Sequence, residues 1–384
     1  MTASTTQAKG LEGVVVAETR LSKVDGVAGR LIYCGYDILD LARQASYEEV
    51  IYLLWNLRLP TRDELAALKQ QLFQQMPLPP ALLQQMRSLP TDVHPMAALR
   101  TAVSLAGMYD PLAEDNSAEA NRQKALTLTA RMPTLIAAWS RIREGQEPVA
   151  PRADLDLAEN FLYMMRGEDP DPTAAEAVDR YLILLADHGM NASTFTARVV
   201  TSTDGDIYSA VTAALGSLKG PKHGGANEAA MRMFFEIRDS GLSVQEWFQK
   251  EVKEGDRRIM GIGHRVYKAP DPRAEILREH ARALAQSSGN SQWFDIAFEL
   301  EQQARADQYF IERNLYANVD YYSAIVLYTV GIPVDLFTPL FAMSRIAGWT
   351  AHIIEQWQDN RLIRPKAQYV GETDLRWVPL DARG

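Results

Sequence analysis

Four Ser/Thr-x-x-Glu units, Ser46–Glu49, Thr61–Glu64, Thr173–Glu176 and Ser243–Glu246, punctuate this chain. Such a unit lets the hydroxyl take a backbone N–H three residues on while the glutamate reaches back, so each one predicts a helix start. After Thr61 the apolar residues Leu65, Leu68, Leu72, Phe73 and Met76 recur at helical spacing and leave Lys69 and Gln70 outward. His94-Pro95, Asp271-Pro272 and Thr338-Pro339 put proline where a first helical turn tolerates it. Only Gly13 to Thr19 reads as strand, with Lys23 to Gly26 as a turn. The expected fold class is mainly α, with a short N-terminal β element.

A chain of 384 residues is long enough for one large domain and a smaller one. Asp110–Arg122, Glu144–Asp154 and Gly167–Pro172 read as surface loops, and the glycine-rich run Gly216–Gly225 reads as a domain boundary with hinge freedom. A single cysteine, Cys34, excludes an internal disulfide framework and any zinc site built from several thiolates, and it suits a reducing cytoplasm. The net charge of −9 argues against nucleic acid as a partner. The N-terminal Met1–Gly10 has no apolar signal core, and Ala324–Leu336 is too short to span a bilayer, so a cytoplasmic protein with no membrane partner is expected.

Three segments carry proton-transferring side chains: Gly220–Gly225 with His223, Gly261–Tyr267 with His264, and Asn318–Ser323 with Asp320. Each is expected at the mouth of a helix. No nucleophilic Ser or Cys stands beside them, so two imidazoles and a carboxylate suit proton abstraction next to a carbonyl better than acyl transfer or hydrolysis. A helix start would keep His223 neutral, able to donate a hydrogen bond to a developing enolate oxygen. Each segment also has an ordinary reading: a capping loop at His223, a tight turn at His264, a plain N-cap at Asp320. Around His264 the cations Arg257, Arg258, Arg265, Lys268 and Arg273 crowd a glycine-bearing stretch, which suits a phosphate-bearing ligand as well as a solvated face. Gly261-Ile262-Gly263 lacks the third glycine of a dinucleotide fingerprint. Arg345 falls near the apolar pattern of Leu340, Met343, Ile346 and Ile353, where a guanidinium needs an anionic partner. His188 closes a helix ahead of Gly189, while His94, His280 and His352 read as structural or exposed. No metal motif and no P-loop is present.

In this order the segments resemble the citrate synthase family, in its short bacterial and archaeal form, close to 2-methylcitrate synthase. The likeness runs from about Gly13 to Gly371 and takes in Val24–Gly26, Gly35–Ile38, Asn191–Arg198, Phe337–Phe341 and Ile363–Lys366. It implies a citrate synthase-like, two-domain helical homodimer. The large domain would be 1–218 with 325–384, and the small mobile one 219–324. It implies that Asp320 removes a methyl proton from acetyl-CoA, that His223 stabilises the enol or enolate, and that His264 polarises the ketone of oxaloacetate. Citryl-CoA would then be hydrolysed to citrate and CoA. His188, Arg273 and Arg345 match positions that hold oxaloacetate, together with His223 and His264, and Arg364 matches one contributed by the neighbouring subunit. Arg258, Gly263, Arg265 and Lys268 are implied as CoA contacts. No cofactor and no metal are expected, acetyl-CoA being a substrate. The rivals are a 2-methylcitrate synthase using propionyl-CoA, a citryl-CoA lyase, and a non-catalytic helical assembly protein. Arg265 after the histidine looks more like the citrate enzymes, since methylcitrate enzymes tend to have proline there. The chain also lacks the N-terminal extension of the long, NADH-inhibited forms, so no such inhibition is expected.

Overall fold

A computed structural model describes residues 9–383, so the first eight residues of the N-terminal segment read above lie outside the described residues. Seventeen α-helices follow one small sheet: α1 (Ile38–Gln44), α2 (Tyr47–Asn56), α3 (Arg62–Gln75), α4 (Pro80–Arg87), α5 (Pro95–Met108), α6 (Ala118–Arg143), α7 (Leu157–Arg166), α8 (Pro172–Leu185) and α9 (Ala192–Thr201). They continue with α10 (Ile207–Leu218), α11 (Ala226–Asp239), α12 (Val244–Trp247), α13 (Pro272–Ser288), α14 (Gln292–Ala306), α15 (Gln308–Glu312), α16 (Val319–Thr329) and α17 (Phe337–Gln358). The mainly helical expectation holds.

Three of the four capping boxes are formed, at Ser46, Thr61 and Ser243. The fourth is not: Pro172 occupies the first helical position of α8, which moves the cap back to Asp171, whose side chain accepts from the N–H of Ala174. The β element is also displaced. Gly13–Thr19 forms no strand, because a β-prone run without a partner ladder builds no sheet. Instead β1 (Ser22–Asp25), β2 (Arg30–Tyr33) and β3 (Tyr36–Asp37) form an antiparallel sheet in sequence order, with Ser22 opposite Tyr33 and Ile32 opposite Asp37. The stretch read as a turn is therefore mostly strand, and the turn begins at Gly26.

The core is organised around α17, which is apolar nearly all round and so buries almost its whole length. It packs against α2, α5, α6, α8, α9, α10 and α11. Polar fasteners set its depth: the Tyr47 hydroxyl donates to the carbonyl oxygens of Met343 (2.9 Å) and Ser344 (2.7 Å), and Ser344 Oγ donates to the Leu182 carbonyl at 2.6 Å. Gly348 lets α17 lie directly on the segment after α8. A Cβ there would run into the Ala186 carbonyl and come 2.7 Å from Asp187 Oδ1. That close approach brings His188 to the face of α17. No described helix is long and apolar enough to cross a membrane.

Candidate active site

Arg345 projects from α17 and is 1% exposed. Its Nε donates to the Leu185 carbonyl at 2.7 Å, and its guanidinium carbon stands 4.8 Å from the centre of the Phe341 ring. No carboxylate among the described residues forms an ion pair with it. A buried guanidinium without one is costly, which makes the remaining N–H groups a seat for an anion. Arg273, 2% exposed at the start of α13, differs: one edge of its fork is held by Asp271, with Nε 3.0 Å from Oδ1 and Nη2 2.8 Å from Oδ2. The field of these two cations reaches every proton-transferring side chain singled out in the sequence. Arg345 acts on His223, His188 and Asp320, and Arg273 acts on His188, His264 and Asp320. His223, His264 and Asp320, nearly 100 residues apart at the extremes, thus share one cluster with His188.

His264 does not sit at a helix mouth. It lies in a loop that runs on to Pro272, held by backbone bonds to the segment before α16. Gly263 N–H donates to the Tyr316 carbonyl (2.8 Å), Asn318 N–H to the Gly261 carbonyl (2.9 Å), and Asn318 Nδ2 to the Gly263 carbonyl (2.7 Å). Gly261 has φ +80°, and a Cβ on it would come 2.9 Å from the Cα of Tyr321, so loop and helix touch backbone to backbone. On its other side the loop meets the β1–β2 turn, where Lys268 N–H donates to the Gly26 carbonyl at 2.8 Å. His264 Nδ1 accepts from the N–H groups of Val266 (3.0 Å) and Tyr267 (3.1 Å). The ring proton therefore resides on Nε2, which is left free to donate. Burial, with Arg273 and Lys268 against Asp271, brings its pKa down to about 4.

His223 does precede a helix, with Gly225 as the N-cap of α11. Its Nε2 accepts from the Ser193 N–H at 3.3 Å and lies 2.8 Å from Ser193 Oγ, which Trp349 Nε1 also contacts at 3.1 Å. With Nε2 accepting, the proton is on Nδ1, the opposite tautomer to His264. Burial and then Arg345 bring its pKa down to about 4. His188 pairs its Nε2 with the Tyr267 hydroxyl at 3.2 Å, and its ring meets those of His264 and Tyr267 edge-on at 5.5 and 5.6 Å. Burial foremost, then the charge of Arg273, pushes its pKa well below the ordinary histidine value.

Asp320 is not the N-cap of α16. Asn318 holds that position and accepts the Asp320 N–H at 2.9 Å, which places Asp320 in the first turn. Its Oδ1 is buried with no hydrogen-bond partner. Burial raises its pKa to about 6, against the pull of Arg273 and Arg345. A partly desolvated carboxylate with a free lone pair, in the field of the same arginines as two neutral imidazoles of opposite tautomer, is suited to enolising a carbonyl compound held by the arginines.

Comparisons with known proteins show the family. The family model described as citrate synthase, C-terminal domain, matches residues 10–366. The chain belongs to the citrate synthase family. The citrate synthase of Haloferax volcanii is 49% identical over 379 residues, 98% of each chain. The citrate synthase of Thermoplasma acidophilum, solved as a ternary complex with carboxymethyl coenzyme A and oxaloacetate, superposes with a TM-score of 0.91 at 36% identity, covering 98% of this chain and 99% of that one. A 2-methylcitrate synthase of Mycobacterium tuberculosis is similar at a lower 42% identity, over 94% of this chain and 90% of its own.

Other residues singled out in the sequence lie apart from the cluster. Arg258, Arg265 and Lys268 are exposed, although the Lys268 charge still reaches His264. Arg265 stands 3.9 Å from the Glu12 carboxylate in solvent, and Arg257 pairs with Glu236 instead. Arg364 is exposed on the extended segment after α17. His352, unlike an exposed histidine, is fully buried between Asp187 (3.2 Å) and Arg198 (3.0 Å). Cavities of about 520 Å3 between α2, α3 and α6 and about 290 Å3 beside Glu48 contain none of the cluster residues. Ser193, Tyr267 and Asp271 were missed as site residues. Each supports a neighbour across the fold, and no local sequence pattern encodes that.

Proposed function

We propose that this chain is a citrate synthase, a transferase that condenses acetyl-CoA with oxaloacetate and water to give citrate and CoA. The observation that carries the reading is the pairing of unpartnered Asp320 Oδ1 with the buried, carboxylate-free Arg345. Oxaloacetate brings two carboxylates for the arginine forks and a ketone for His264 Nε2–H. Asp320 takes a methyl proton from acetyl-CoA while His223 Nδ1–H supports the thioester oxygen as it gains charge, and the resulting enol carbon attacks the ketone carbon. Water then cleaves the citryl thioester. His188 holds the first substrate beside His264. Arg258, Arg265 and Lys268 offer the CoA phosphates an exposed cationic edge, and the Gly263 backbone lets the ligand approach closely.

In this reading 219–324 is the small domain that closes over 1–218 and 325–384, the enzyme is a cytoplasmic homodimer, and Arg364 serves the neighbouring subunit's site. No cofactor or metal enters the reaction. Acetyl-CoA is favoured over propionyl-CoA because relatives named for citrate reach 49% identity against 42% for one named for 2-methylcitrate, and because Arg265, not proline, follows His264. An extra methylene discriminates by only about 1–3 kcal/mol, so some propionyl-CoA turnover is compatible. The test is CoA release from each thioester, with and without oxaloacetate, by the wild type and by Asp320→Asn. Faster turnover of acetyl-CoA, dependent on oxaloacetate and lost in the variant, is expected. Faster propionyl-CoA turnover overturns the citrate assignment, and an active variant overturns the base.

A further inference from the structure

Asp271 and Arg273 form a buried ion pair within the site, 3% and 2% exposed. A carboxylate can accept about four hydrogen bonds, and Asp271 uses that capacity in full. Oδ1 accepts from the Arg273 N–H (3.1 Å) and Nε–H (3.0 Å), and Oδ2 accepts from Arg273 Nη2 (2.8 Å) and from the Val319 N–H (3.1 Å). A helix cap alone would need only the first of these. The last one crosses 48 residues to the position immediately before Asp320. Resting on the reading of Asp320 as the base, we propose that Asp271 is a positioning residue that ties the oxaloacetate-binding Arg273 to the helix turn carrying Asp320 and keeps that carboxylate basic by offsetting the arginine's charge.

Two arguments support this. Burial of an ion pair contributes little net stability, so its retention beside a substrate-binding fork has a use beyond folding. With Nε and one edge of Nη2 committed to Asp271, the rest of the guanidinium is aimed in a fixed direction, and any shift of the fork on binding a dianion is passed to the Val319–Asp320 backbone. The groups facing Asp320 are few. Arg273 and Asp271 do so from the start of α13, Arg345 from α17 and Tyr181 from α8, while the packed faces of α11 and α14 bring no charge to it. Of the two negative groups near Arg273, only Asp271 touches it. Removing that charge leaves the cations unopposed and weakens the base.

The experiment uses full-length Asp271→Asn and Asp320→Asn. It measures kcat and KM for both substrates and the pH profile of kcat/KM for oxaloacetate. For Asp271→Asn the acid limb is expected to move down by about one pH unit, with kcat reduced about tenfold and KM for oxaloacetate raised. An unmoved limb with kcat within about twofold of wild type overturns the proposal. Should Asp271→Asn not fold, as circular dichroism would show, Asp271→Glu replaces it. That variant keeps the charge, so its limb is expected at the wild-type pH while KM for oxaloacetate rises, and a limb displaced downward counts against the idea. An inactive Asp320→Asn beside an unmoved Asp271→Asn limb removes only the role of Asp271. An active Asp320→Asn removes the base itself.

Discussion

At the scale of single residues the proposed mechanism needs three protonation states set at once. Asp320 must be ionised and His223 and His264 must be neutral. Burial disfavours whichever form is charged, so it keeps both imidazoles neutral by lowering them to about 4, while it opposes ionisation of Asp320, raising it to about 6 and making it a stronger base once ionised. The imidazoles are therefore already neutral where the carboxylate titrates, and Asp320 alone governs the acid side. Activity rises with pH as it ionises, so kcat/KM for oxaloacetate, which reports the free enzyme, is expected to show its acid limb near pH 6. A limb near pH 4 in that profile would assign control to a histidine instead. The residue types and their order were legible in the sequence. Their tautomers were not, because these depend on the Ser193 N–H across the fold and on two N–H groups presented by one particular turn at Val266 and Tyr267.

At the scale of elements, the His264 loop is held by α16 more than by its own sequence. Gly261 is the contact point, and replacing it with alanine meets two obstacles. The positive φ costs about 1 kcal/mol for a residue with a Cβ, and the Cβ itself would stand 2.9 Å from Tyr321 Cα. The loop must lift, carrying His264 away from Asp320. Gly261→Ala is expected to lower kcat at least about tenfold and the melting temperature by a few degrees, read by steady-state kinetics and calorimetry. Wild-type kcat in that variant would show that the backbone contact does not set the geometry. Three capping boxes told where α2, α3 and α12 begin, since those signals are local. The Thr173 box failed because a proline one residue earlier overrode it, and the Gly13–Thr19 strand failed because pairing is not local.

For the whole molecule, the proposed homodimer would complete each site across copies of the chain. Arg364 leaves α17 on an exposed segment whose Leu362, Tyr369, Val370, Leu375 and Trp377 are also exposed, at 58 to 88%. If each site takes Arg364 from a second copy, Arg364→Ala and Asp320→Asn chains are inactive alone but complement when co-expressed. A mixed dimer regains one complete site of two, so with random pairing roughly a quarter of wild-type activity returns. No recovery would place Arg364 within its own subunit or outside the site. The sequence by itself determined the helical class, several helix starts and the inventory of two imidazoles, a carboxylate and several arginines, because periodicity, capping and side-chain chemistry are carried by neighbours along the chain. Only the tertiary structure decided that Arg345 is buried without a carboxylate, that Asp271 binds Arg273 to α16, and that His223 and His264 carry their protons on opposite nitrogens. At Arg345, Asp271 and His223 those properties arise from desolvation and from hydrogen bonds between residues tens to more than a hundred positions apart, and at His264 from a turn that α16 and the β1–β2 turn hold in place.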